Sequence, residues 1–144
     1  MAHRVFLFRA GTLCLAVPFY CVEKIVSVDE IQPVDNNVLL YHNQKYRHVQ
    51  LPLDEPLSES SPFLLLKEGD HGLIALQITE ALGIERIEAD ALHVLPPYIF
   101  PERPPIFTQC FSTTEHLVFS LDIERLQASY PPEDQQDVHR TGTR

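Results

Sequence analysis

The strongest constraint on this chain is its punctuation: short apolar runs, each stopped by glycine, proline or a polar turn. Arg4–Ala10 (RVFLFRA) ends at Gly11-Thr12, a hairpin turn, and Leu13–Val17 follows as its partner strand. Pro18 breaks the run because it cannot donate to a sheet ladder. Val22–Val28 resumes an extended pattern, and Pro33–Asn37 reads as a turn. Val38–His42 and Tyr46–Leu51 form a second hairpin around Asn43-Gln44-Lys45. The latter strand alternates in part, as one with a face in solvent does.

A second half repeats this layout. Asp54–Ser61 (DEPLSESS) is a polar loop. Then come Pro62–Lys67, a turn over Glu68–Gly72, and Leu73–Ile78, with Gly69 and Gly72 supplying a permissive backbone. Thr79–Ile87 continues it much as Val22–Val28 continues the first hairpin. Strand, glycine turn and strand thus recur roughly sixty residues apart, which points to two similar subdomains. Prolines at 96, 97, 101, 104 and 105 make Leu95–Pro105 a stiff, extended connector. Ile106–Phe111 and His116–Leu121 flank the polar turn Ser112–Glu115. Asp122 is an acidic N-cap candidate for a short helix through Leu126. Residues 1–127 read as one domain, and the polar stretch 128–144 as a flexible tail.

Composition narrows the function. Of 144 residues, 44% are hydrophobic and 22% charged, within the range of an ordinary globular domain. A net charge of -9 speaks against a nucleic-acid partner, because phosphate backbones repel acidic surfaces. The apolar stretch Val5–Val28 is broken by Arg9, Glu23 and Lys24, so it fits neither a secretion signal nor a membrane-inserted helix. The cysteines, Cys14, Cys21 and Cys110, are odd in number and lack CxxC spacing, which favours free thiols in a reducing, cytoplasmic compartment.

No constellation carries chemistry. The seven histidines show no HxH, HExxH or Cys-His spacing, so no metal site is expected; His42 and His48 read as polar positions facing each other across a hairpin. With 5 glycines there is neither a GxGxxG nor a P-loop, and no nucleophile elbow occurs. The pairs Asp29-Glu30 and Asp54-Glu55 sit in loops as solvated surface. The expectation is a protein that is not an enzyme, has no cofactor, and works by docking partners on partly exposed aliphatic positions.

The order of segments resembles the CheW family of chemotaxis coupling proteins, over roughly residues 4–127. VFLFRAGTLCLAVPFYCVEKIVSV is similar to that family's first hairpin and following strand, including a Val-x-x-Ile segment at Val22 and Ile25. KEGDHGLIALQITEALGIERIEADALHVLPP resembles its second-half hairpin through the closing Pro-Pro. HLVFSLDIERL resembles its terminal strand, with Leu121, Asp122 and Leu126 as the Leu-Asp-x-x-x-Leu end. The chain departs from the family at its Asn-Leu-Arg-Gly motif. HNQKYRHVQLPL stands there, with Gln44 at the arginine, Lys45 at the glycine and Pro52 at a later aspartate; only Leu53 fits. Thr79 replaces another usual aspartate, and Gln109-Cys110 replaces a glycine near the last hairpin. The chain reads as a divergent member.

The resemblance implies a mainly β fold: two SH3-like five-stranded barrels sharing a core, with a short C-terminal helix. It implies a non-catalytic adaptor between the cytoplasmic tip of a chemoreceptor and the regulatory domain of a CheA-type histidine kinase. The receptor helix would lie between the subdomains, against Val22, Lys24, Ile25, Leu39 and Gln44 from the first half and Ile78 and Leu82 from the second. Two other readings stand beside it. One is an accessory subunit with a single partner, for example in surface motility; the other is a small-molecule-binding β-barrel.

Overall fold

Side chains alternate faces along a strand, so Val5–Phe8, Leu13–Val17, Phe63–Leu66 and Leu73–Leu76, apolar throughout, each have two faces to bury. The computed structural model, which describes residues 2–35, 37–51, 53, 57–67, 72–95 and 106–129, shows how they do so. Strands β1 (Ala2–Ala10) and β2 (Leu13–Pro18) pair as an antiparallel hairpin with Phe8 opposite Leu15. Gly11 takes the turn at φ +63°, a conformation that favours glycine. Strands β3 (Val22–Val26), β4 (Gln32–Asp35), β5 (Val38–Tyr41) and β6 (Gln44–Val49) follow. The second half runs β7 (Phe63–Leu66), β8 (Ile74–Gln77), β9 (Glu80–Glu88), β10 (His93–Val94), β11 (Phe107–Ser112) and β12 (Leu117–Leu121), then helix α1 (Ile123–Ser129).

The strands form two six-stranded sheets, ordered β10-β11-β12-β2-β1-β9 and β3-β7-β8-β6-β5-β4. The two orders are the same pattern. In each, a hairpin (β1–β2 or β7–β8) has an antiparallel neighbour on one side and a parallel one on the other (β9 and β12, or β3 and β6). In each, the two end strands are consecutive in the chain and joined through a 3-10 turn, Ala89–Ala91 or Val28–Glu30, which curls the sheet toward closure. The hairpins are exchanged. β1–β2 sits in the sheet built by β9–β12, and β7–β8 in the sheet built by β3–β6.

Three clusters of side chains follow from this exchange. Phe6, Phe8, Leu15 and Val17 meet Leu64, Leu66, Ile74 and Leu76 in a core shared by both sheets. The other faces of the same hairpins fill the two sheets' own interiors. Val5, Leu7, Cys14 and Ala16 pack with Ile87, Phe111 and Val118 in the first. Phe63, Leu65 and Ala75 pack with Val26, Leu39, Tyr41 and Tyr46 in the second. Cys14 and Cys21 are buried, and burial pushes the Cys14 thiol up from its ordinary value.

The mainly β fold in two similar halves with a short terminal helix stands as expected, with particulars corrected. Each sheet has six strands rather than five, because Gln32–Asp35 and His93–Val94 add edge strands. Pro33 occupies an edge, where its missing N–H is tolerated. The second hairpin turns at His42-Asn43, both at positive φ (48° and 64°), and Gln44 already belongs to β6. His42 and His48 therefore do not face each other: Tyr41 lies opposite Gln44, and the His48 N–H donates to the Asn37 carbonyl. Asp122 caps α1, its carboxylate accepting from the Arg125 N–H at 3.1 Å, while Ile123 and Leu126 enter the shared core. The turn at 68–71, the connector at 96–105 and the tail from 130 lie outside the described residues.

Candidate functional site

The residues expected to meet a partner divide into three groups. Val22 and Ile25, on β3, are half-buried at the rim of the shared core, and Glu23 and Lys24 between them are both exposed, because a β-bulge between Val22 and Lys24 breaks the alternation. Gln44, at the start of β6, is exposed on the same sheet. β7 and β8 lie between β3 and β6 in the sheet, and Gln44 is linked to the β3 rim through the Tyr46 hydroxyl, which Glu23 also reaches. Leu39 and Ile78 are exposed at neither place: Leu39 is buried inside the second sheet, and Ile78 has no exposed area and lies in the shared core. Their side chains point inward on the pleat, so they support a contact surface without presenting one. Leu82 stands apart on β9, half-buried against the interior of the first sheet.

A polar network runs between the β3 rim and β5–β6. The Lys24 ammonium donates to the Tyr41 hydroxyl at 2.9 Å and lies 5.6 Å from the centre of its ring. That bond favours the charged ammonium and raises its pKa. The Tyr46 hydroxyl lies 3.2 Å from a Glu23 carboxylate oxygen and 3.3 Å from the Gln44 amide oxygen. Burial, followed by the Glu23 charge, pushes the Tyr46 phenol up to about 12, so it stays a donor throughout the neutral range. His42 stacks flat on Tyr41, ring centres 4.0 Å apart. Glu30 closes the group; the Ser27 backbone N–H, donating at 2.9 Å, holds its carboxyl below the ordinary value.

Glu23, Tyr41 and Tyr46 are therefore part of the candidate site, and sequence reading passed over them. A signal was present: two tyrosines on facing strands, each an apolar ring with a hydroxyl that seeks a partner when buried. The same sheet also holds Arg47, whose Nε and one terminal nitrogen are buried with no hydrogen-bond partner among the described residues; burial lowers its pKa.

Leu82 belongs to a different feature. An open groove of about 520 Å³ runs over Leu7, Leu82 and Ile87, rimmed by Glu85, Arg86 and His116. A smaller pocket of about 290 Å³ lies beside Leu51, Leu53 and Leu57, with His48 and Gln77 in its wall. Among the described residues no three His, Cys, Asp or Glu side chains converge as metal ligands. No described helix is long and apolar enough to cross a membrane.

The half-buried Val22 and Ile25 at the rim of the shared core thus stand beside the polar network of the second sheet. A scaffolding protein, CheW from Thermoanaerobacter tengcongensis, superposes on this chain with a TM-score of 0.67, over 84% of this chain and 89% of that one, at 10% identity. No family profile and no curated protein matches the sequence. The chain thus has the fold of a CheW scaffolding protein, with two β subdomains of like topology.

Proposed function

We propose that this chain is a non-catalytic adaptor of a chemosensory pathway, working in the cytoplasm and coupling a methyl-accepting chemoreceptor to a CheA-type histidine kinase. The observation that carries this reading is the likeness to a scaffolding protein over 89% of that protein's length. The exchanged hairpins support treating residues 1–127 as a single domain, since neither half completes a sheet without the other. The receptor tip docks on Val22, Lys24, Ile25 and Gln44, with Leu39 and Ile78 as the packing beneath. Half-buried aliphatic anchors supply affinity there, and the charged rim supplies register. Leu82 contributes only to a partner that reaches the first sheet.

The test is a pull-down with the full chain against the receptor tip and the kinase regulatory domain of the same organism. Recovery of both supports the bridge. Recovery of neither, with the fold intact, contradicts the reading.

One observation favours a narrower version, an accessory subunit with a single partner. Gln44 stands where the resemblance calls for an arginine, and its amide lies on the same hydroxyl as Glu23. A neutral amide cannot replace the planar fork and fixed charge of a guanidinium. Gln44→Arg is expected to strengthen binding to a receptor-tip peptide, by tens of percent to a few fold, because Glu23 nearby competes for the new charge. An unchanged titration with the fold intact would remove Gln44 from the site.

A further inference from the structure

We propose that the outer face of β5–β6 docks an amphipathic helix of a partner protein, whose acidic flank meets Lys45 and Arg47 while its apolar stripe covers Val38 and Leu40. This goes beyond the adaptor reading and does not depend on it.

Strand alternation divides the β5–β6 ladder into two faces. Leu39, Tyr41 and Tyr46 turn into the second sheet's own interior. The ladder is regular, pairing Val38 with Arg47 and Leu40 with Lys45, so these four share the opposite face. Val38 and Leu40 are half-buried and, among the described residues, belong to none of the three apolar clusters. The β3 rim is a different place. β7 and β8 separate it from β6, and on this face their Leu64, Leu66, Ile74 and Leu76 are covered by the shared core.

Arg47 carries the inference. Nε and Nη2, one side of its guanidinium fork, are buried with no hydrogen-bond partner among the described residues. Such a fork is shaped for a carboxylate, which accepts from both nitrogens at once. Left empty, it carries a desolvation cost that native structures rarely retain without a use. Asp35, opposite Val38 on β4, is engaged elsewhere: its carboxylate accepts from the Asn37 backbone N–H at 2.9 Å. Arg47 as a whole is only half-buried, so a change of rotamer carries the fork to the surface. Lys45 stands two residues away on the same strand, exposed and paired with no acid among the described residues.

The layout selects the partner. The cations lie on one strand, about 6–7 Å apart, and the aliphatics on its neighbour, about 4.8 Å away. Acidic residues at i and i+4 of a helix are spaced about 5–6 Å and border an apolar stripe in an amphipathic sequence, so a helix matches both rows. An extended segment, whose side chains alternate, offers only one of them. A free anion gains nothing from Val38 and Leu40. The net charge of -9 repels an acidic partner elsewhere, so this pair of cations decides where it lands.

The experiment titrates the full chain, isotopically labelled at arginine, with a synthetic alanine-rich helix whose leucine stripe is flanked by glutamates at i and i+4. The control is the same helix with glutamines in their place. The Arg47 Nε–H resonance is expected to shift and saturate with the glutamate helix, which should bind at least about tenfold more tightly than the control. Lys45→Gln, an exposed change, is expected to weaken that binding about two- to fivefold. An Arg47 resonance that neither helix moves, equal binding of the two helices, or binding indifferent to Lys45→Gln would overturn the proposal. So would inorganic phosphate moving the resonance as far at the same concentration, which marks a free-anion site, or a fork already at its ion-paired position in the free chain.

Discussion

The two sheets share one strand order and differ in what fills them. The first is lined by Val5, Leu7, Cys14, Ala16, Ile87, Phe111 and Val118, with no hydroxyl among them. The second holds Tyr41 and Tyr46, whose hydroxyls reach Lys24, Glu23 and Gln44 at its rim. One backbone plan thus supports a sheet closed by packing alone and a sheet closed by packing plus a polar network. The network lies beside the β3 rim, where a partner is proposed to dock, and a groove lies open at the other sheet. Duplication fixes where strands go, while the inward side chains decide which half presents fixed chemistry.

The largest expected effect tests what the sheets have in common. Leu15→Ala and Leu64→Ala each empty a position with no exposure in the shared core, one from each hairpin. Each is expected to cost about 2–5 kcal/mol. Because that core joins the sheets, urea unfolding should remain a single transition for both variants. Two separated transitions would show that the sheets fold apart.

Next comes the network. Tyr46→Phe removes the hydroxyl shared by Glu23 and Gln44 and is expected to cost about 1 kcal/mol. It also has a pH signature. A phenol raised in the folded state from 10 to about 12 adds stability below pH 10, and that stability is lost as pH rises through 12. Tyr46→Phe should remove this alkaline loss, and denaturation midpoints measured across that range decide the matter.

A smaller effect lies in acid. Burial lowers the His48 imidazole below its ordinary 6.5, so the folded state favours the neutral ring. Its stability is present above 6.5 and is lost as pH falls through the lowered value. His48→Phe, which keeps an aromatic ring against Phe63 and cannot ionise, should flatten that part of the profile. An unchanged profile would assign the acid loss to other groups.

Much of the fold was legible because its hairpins are apolar on both faces. Arg4–Ala10 with Leu13–Val17 and Pro62–Lys67 with Leu73–Ile78 announce themselves as strands, and Asp122 announces the helix. The edge strands at Gln32–Asp35 and His93–Val94 were not legible, since an exposed strand bears no apolar pattern and the second is two residues long. The exchange of hairpins was not legible either: local periodicity says which residues face a core but not which half supplies it. For the site, Val22, Lys24 and Ile25 stand on β3 and Gln44 on β6, linked through the Tyr46 hydroxyl that Glu23 and Gln44 both reach. Leu39 and Ile78 turned out to be interior, because alternation had no fixed phase until the ladders were known. Tyr46 was missed because its role rests on Glu23, distant in sequence and adjacent only across the sheet.

The most direct measurement of the central claim is chemical-shift mapping on the isotopically labelled full chain as unlabelled receptor-tip helix is added. The account predicts saturable shifts confined to Val22–Ile25 and the β5–β6 turn through Gln44, with the Tyr46 neighbourhood responding and Leu117 and Val94 on the other sheet silent. Shifts centred on the groove over Leu82 and Arg86, or none at any concentration with the fold intact, would contradict it.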